Sequence, residues 1–333
     1  MKRIIIVLLI TFISTYAIAQ QSQDSLRQKA IMSMKEKFPE TRIFNVEYNQ
    51  SMDRKFSSQL FGQDFQEGTI KNQRNITVSA NIPVYKTQRW SFTSSLFYQF
   101  NEFEFDNIEN PSSLPFFERN GVVGFHNFSA AISSTYFSML FNKPVIFNAS
   151  IIGDSNKESL GRGRFKGILG FSFILKQTER TTITLGALGF IDPSSQIPFI
   201  PTFSYNHHFR NSKWELDFIL PQRLLVRRQV GENSRLSFGT TLGVSEFYID
   251  SNNQSYGNMF AYSQIELKTG VIYEHRINKY LIGTFQGGIQ NFISNKATVK
   301  GEPAQDFIYE NDQDVTGYFQ IGFSIDPFAK KKK

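Results

Sequence analysis

Stretch after stretch of this chain alternates apolar and polar residues with a period of two, and that alternation excludes most folds. Phe44, Val46 and Tyr48 interleave with Asn45, Glu47 and Asn49, and Ile76, Val78, Ala80, Ile82 and Val84 interleave with Asn75, Thr77, Ser79 and Asn81. Successive residues of an extended strand point to opposite faces, so each run has one apolar face and one face of small polar groups. The pattern returns in Trp90 to Phe100, Phe128 to Leu140, Val145 to Ile152, Phe165 to Leu175, Thr181 to Ile191 and Ile200 to Phe209. It continues in Trp214 to Leu220, Gln222 to Val230, Leu236 to Tyr248, Ala261 to His275, Tyr280 to Phe292 and Val315 to Phe328.

The links between these runs alternate in length. Lys86 to Arg89, Phe141 to Pro144, Gln177 to Arg180, Arg210 to Lys213, Gly231 to Ser234 and Arg276 to Lys279 are short. Ser51 to Asn72, Phe103 to Asn120, Gly153 to Arg164, Asp192 to Phe199, Asp250 to Phe260 and Ser294 to Asp314 are long. Membrane-spanning barrels have short periplasmic turns, long outer loops, an apolar band toward lipid and a polar interior. The fold expected is therefore all-β, a transmembrane antiparallel up-and-down β-barrel of about fourteen strands over residues 41–328. Pro221 is the weakest division, and merging the runs beside it gives twelve strands. A soluble all-β fold also buries one face, but it does not account for the alternation of links.

The start of the chain fits that destination. Lys2-Arg3, the apolar run Ile4 to Ile13 and the stretch closing on Ala17-Ile18-Ala19 form the three parts of a secretory signal peptide over residues 1–19, with cleavage expected before Gln20. The apolar run is too short for a membrane helix of roughly 20 residues. Residues 20–40 are polar except for Leu26, Ala30, Ile31, Met34 and Phe38, whose spacings share one helix face, so a short periplasmic helix or a plug inside the lumen is expected there. Residues 329–333 form a basic tail. The location expected is the cell outer membrane, reached by export.

Composition excludes several function classes. The net charge of +7 looks basic, but without Lys2, Arg3 and Lys330 to Lys333 the chain holds 30 basic against 29 acidic residues, which leaves no nucleic-acid footprint. There is no cysteine, hence no disulfide framework. Phenylalanine is heavily used, at 35 copies against 13 Tyr and two Trp, as one strongly apolar face on every strand requires. Trp90, Trp214 and Tyr280 each follow a basic residue at a short turn, the placement of an aromatic girdle at the membrane interface.

In the last run Phe319, Ile321, Phe323 and Ile325 share one face. It is similar to the C-terminal strand recognised by the outer-membrane barrel-assembly machinery, although Ala329 and four lysines follow Phe328 where that pattern ends on the aromatic. With its signal peptide, hairpin rhythm and final strand, the chain resembles an uncharacterised outer-membrane β-barrel family of Gram-negative bacteria, classed as a domain of unknown function. The resemblance implies location and fold, with outer-membrane lipid, lipopolysaccharide and the assembly machinery as partners.

Chemistry is sparse. The four histidines are scattered, and His207 and His208 point to opposite faces of one strand, so neither a metal nor a cofactor is expected. A barrel hydrolase would need a serine beside His126, Asp106, Asp192 or Asp250, and no local motif supplies one, so an enzyme is not expected. Gly161-Arg162-Gly163-Arg164 joins two strands, whereas a nucleotide loop leads into a helix; a flexible basic outer loop fits better, with contact to lipopolysaccharide phosphates as the lesser alternative. The strongest constellation is Glu215 and Asp217 beside Arg223 and Arg227, with Glu266, Lys268 and Glu274 further round. Trp214, Leu216, Phe218 and Leu220 take the lipid side, which turns the charges into the lumen. Such charges either neutralise one another or line a solute path. The functions expected are a pore or transporter for small solutes or apolar molecules or, as the alternative, a non-transporting scaffold that uses the 103–120 and 294–314 links as contact surface.

Overall fold

The period-two runs fold into sixteen strands, seen in a computed structural model that describes residues 38, 42–109, 120–156, 164–192, 195–253, 257–325 and 327. They are β1 (Phe44–Ser51), β2 (Arg54–Leu60), β3 (Gln63–Lys86), β4 (Trp90–Glu109), β5 (Gly121–Leu140), β6 (Lys143–Asn156), β7 (Arg164–Gln177) and β8 (Thr181–Ile191). The second half holds β9 (Phe199–His208), β10 (Trp214–Leu220), β11 (Arg223–Val230), β12 (Ser234–Asn253), β13 (Gly257–Arg276), β14 (Leu281–Val299), β15 (Phe307–Gln313) and β16 (Thr316–Ile325).

From β3 to β14 each strand pairs antiparallel with the next. β1 and β2 are the lower and upper pieces of one stave along β3, and β16 and β15 are the matching pieces along β14. β1 pairs with β16 and β2 with β15, so the sheet closes as a ring fourteen staves round. Closure removes the unpaired edges that lipid does not tolerate. Pro221 does separate two strands: Trp214 pairs with Arg228 and Ile219 with Arg223 around a two-residue turn. The signal peptide, the helix or plug expected over residues 20–40 apart from Phe38, and the basic tail lie outside the described residues. Phe38 is buried at the end with the short turns, 4.9 Å beneath the Arg235 guanidinium and 5.7 Å from that of Arg276.

Around the lower staves Val78, Leu96, Ile132, Leu169, Leu224 and Phe323 point outward and stay exposed. Inside, hydroxyls and amides bond one another, as in Asn75 to Asn101 at 2.6 Å and Ser150 to Ser133 at 2.8 Å. Trp90 packs on Tyr136 with ring centres 4.5 Å apart, Arg228 lies over Trp214 and Lys279 over Tyr280, all at the end with the short turns. Phe285 stands on the outward face a few residues above Tyr280. Phe285→Arg is expected to cost about 2–4 kcal/mol, the penalty of a cation near the bilayer midplane, measured by urea unfolding from lipid vesicles.

Four of the long links depart from expectation. Most of 51–72, 103–109, most of 250–260 and most of 294–314 are strand, because the alternation continues past the band with its polarity reversed. On β4 the outward side carries Phe92, Leu96, Tyr98 and Phe100 and then Glu102, Glu104 and Asp106. The inward side passes from Thr93, Ser95, Gln99 and Asn101 to Phe103 and Phe105. Apolar residues face out where the surroundings are lipid and in where they are water, so the switch after Phe100 marks the outer edge of the membrane band. Above it the outer surface carries ion pairs, Arg74 with Glu102 at 2.7 Å and Lys71 with Asp106 at 2.8 Å. Its bond from the Lys71 ammonium holds the Asp106 carboxyl below the usual carboxylate range.

The reversed segments meet in a core of Phe56, Ile70, Phe103, Phe105, Phe247, Ile249, Phe260, Tyr262, Ala297 and Tyr309. β12 makes this possible. Its pairing with β11 ends at Thr241 opposite Arg223, and above that point it leans across the lumen onto β5 and β6. Gln99 donates to Ser245 Oγ and Asn127 to the Glu246 carbonyl, both at 3.2 Å, while Phe247 stacks on Phe125 at 4.7 Å. The upper parts of β2–β5 and β12–β15 thus turn their inward faces onto a shared buried core rich in aromatic rings at the outer end.

Candidate functional site

The lower lumen collects the charges singled out from the sequence. Glu215 and Asp217 on β10 face Arg227 and Arg223 on β11, since residues paired across an antiparallel ladder share a side. Asp217 binds Arg223 Nε at 2.6 Å and Arg227 Nη2 at 2.5 Å, and Arg227 reaches Glu215 at 4.0 Å. Lys268 pairs with Glu266 at 3.0 Å, and Glu274 receives Arg235 at 2.6 Å together with Arg42. Among the described residues these side chains are engaged with one another; the four carboxylates and Arg227 are buried, while Arg42, Arg223, Arg235 and Lys268 are partly buried.

A second site, not anticipated from the sequence, follows from unequal strand lengths. β10 has seven residues and β11 eight, against twenty each for β4, β5, β12 and β13. A seven-residue strand tilted as in membrane barrels rises only about 15–20 Å, short of an apolar band about 25 Å tall. The wall is therefore notched inside the membrane, between β6–β9 on one side and the outward face of β12–β13 on the other.

The notch holds a cleft of about 320 Å³. Ile152, Ile168, Phe190 and Ile200 line it from the inward faces of β6–β9, Leu242, Val244 and Ile265 from the outward faces of β12 and β13, and Pro221 stands at the turn below. The 195–198 segment straps across it, where Gln196 donates to the Ser263 carbonyl at 3.3 Å. At its inner end Lys166 binds Glu246 at 2.6 Å, Asp154 at 2.8 Å and Asp192 at 3.5 Å. Tyr248 donates to Asp154 at 2.9 Å, and Arg164 pairs with Asp192. An apolar cavity with a few convergent polar groups is the form of a small-molecule site. The signal for it was the brevity of the two runs beside Pro221.

The residues weighed for catalysis are placed apart. His126 turns to the lipid side, where Tyr98 OH meets its Nδ1 at 2.9 Å; Asp106 is held by Lys71, and Asp192 belongs to the cleft. Asp250 lies on β12, and of the Gly161 to Arg164 run only Arg164 is described, paired with Asp192. A Ser–His contact does occur, Ser234 Oγ with His275 Nδ1 at 2.9 Å, but its neighbour Glu274 points to the opposite face and is bound to Arg42 and Arg235, and among the described residues no carboxylate is seen to orient the imidazole as in hydrolytic triads. Among the described residues no group of acidic and histidine side chains is arranged to hold a metal.

No family model matches the chain, and no curated protein does. Among solved structures it is similar to an outer-membrane channel from Pseudomonas putida F1, at 11% identity over 86% of this chain and 96% of that chain, with a TM-score of 0.37. It is also similar to a FadL homologue of Pseudomonas aeruginosa, at 9% identity over 87% and 91% of the two chains and a TM-score of 0.39. A third is outer membrane phospholipase A from Escherichia coli, at 9% identity over 84% and 97% and a TM-score of 0.30. At such identities and TM-scores these likenesses carry no argument of their own, and the antiparallel barrel stands on its strand pairing.

Proposed function

We propose that this chain is an outer-membrane barrel that binds a small apolar molecule in the cleft of its wall and passes it between the membrane and the lumen, in place of conducting solutes straight through an open pore. The carrying observation is the cleft itself, apolar and set where short β10 and β11 leave a notch within the lipid-facing band. The buried aromatic core above it supports the same reading, because packed rings occupy the outer end among the described residues. The outward apolar band and the girdle support location in the outer membrane.

The test is binding of N-phenyl-1-naphthylamine, a dye that brightens in apolar surroundings, to protein purified in non-ionic detergent. Val244 is exposed at the cleft, so Val244→Trp fills the cavity and leaves the outward face apolar. Saturable binding by the natural protein, weakened about tenfold or more in Val244→Trp, is expected; tenfold corresponds to about 1.4 kcal/mol. Unsaturable binding, or binding that Val244→Trp leaves unchanged, would move the assignment to a scaffold that transports nothing.

A further inference from the structure

The polar end of the cleft carries information about head groups. Lys166 has three donors, and three carboxylates take them: Glu246, Asp154 and Asp192. Arg164 is the second cation of the cluster and is paired with Asp192. Among the described residues two cations thus stand among three carboxylates. Lys296 turns to Glu310 at 3.2 Å, and Lys300 lies 5.4 Å from the Tyr248 ring centre; neither lines the cleft.

We propose that the cleft selects its ligand by head group, accepting an apolar molecule that ends in an uncharged hydroxyl and refusing one that ends in a carboxylate. This deepens the proposed function and rests on it. A carboxylate entering the cleft meets an ammonium already saturated by carboxylates and a net negative surround, away from bulk water, where like charges repel strongly. A hydroxyl carries no charge into that field and donates a hydrogen bond to Glu246, whose side chain lines the cleft and is 42% exposed. Selection then follows from an existing network and needs no rearrangement of it.

The experiment is displacement of bound N-phenyl-1-naphthylamine by 1-octanol and by octanoate at pH 8, with natural protein and Glu246→Gln. Any apolar site favours the alcohol, so the decisive quantity is the change caused by the substitution. Glu246→Gln removes one negative charge and leaves Lys166 a weaker, neutral acceptor in its place. Octanoate is expected to bind about tenfold more tightly to the variant, and octanol, which exchanges a carboxylate acceptor for a neutral amide oxygen, to bind no more tightly than to the natural protein. An octanoate affinity equal in the two proteins would overturn the selection while leaving the cleft as a binding site. Failure of the dye to bind the natural protein would overturn both.

Discussion

Asp217→Ala is expected to cost the barrel about 3–5 kcal/mol, among the largest losses any single substitution in the lower lumen produces. Asp217 is 2% exposed and binds two guanidiniums, those of Arg223 and Arg227. Removing it leaves two cations close together without the carboxylate that neutralises them, and stranded charge is penalised more heavily than a lost pair is worth. Glu232→Ala, at an exposed periplasmic turn, should stay within about 0.5 kcal/mol. Urea unfolding from vesicles, followed by the heat-dependent shift of the folded barrel on a gel, compares the two. Equal midpoints would mean that the ion pairs of β10 and β11 contribute nothing to stability.

Phe247→Ala should have a similar size by a different route, about 3–5 kcal/mol from lost burial and the cavity left behind. Phe247 is 2% exposed, stacks on Phe125 at 4.7 Å and on Tyr262 at 4.8 Å, and lies 5.9 Å from Phe103. It is the ring that β12 carries across the lumen, so the loss falls on the outer core while the lower staves keep their pairing. The expected result is faster exchange of backbone amides in residues 245–249 and in the upper part of β5, with exchange in β9–β11 unchanged. Uniformly faster exchange around the whole ring would show that the two levels unfold as one unit.

The lower barrel was legible because lipid outside and polar groups inside impose one uninterrupted alternation, as in Ile76 to Val84 against Asn75 to Asn81. The stave count survived the doubt at Pro221, since Leu216, Phe218, Leu224 and Val226 already marked two strands with one outward face. The outer core was harder to see. At Tyr98, Phe100, Phe103 and Phe105 the apolar residues change sides by one skipped step, which from the sequence looks like a strand ending and a loop beginning. The cleft was harder still. Lys166, Asp154 and Glu246 come from β7, β6 and β12 and meet only because β12 bends over the short β10 and β11. No periodicity within one segment records such a meeting.

That no open pore crosses the outer end is the central claim, and current through planar bilayers tests it most directly. Purified, heat-shifting barrel should insert without steady stepwise conductance, whereas Phe247→Ala should show brief openings as the outer core loosens. A stable ohmic channel in the natural protein, open at all voltages, would contradict the account: the aromatic core would not be sealing the mouth, and the wall cleft would lose its place as the way in.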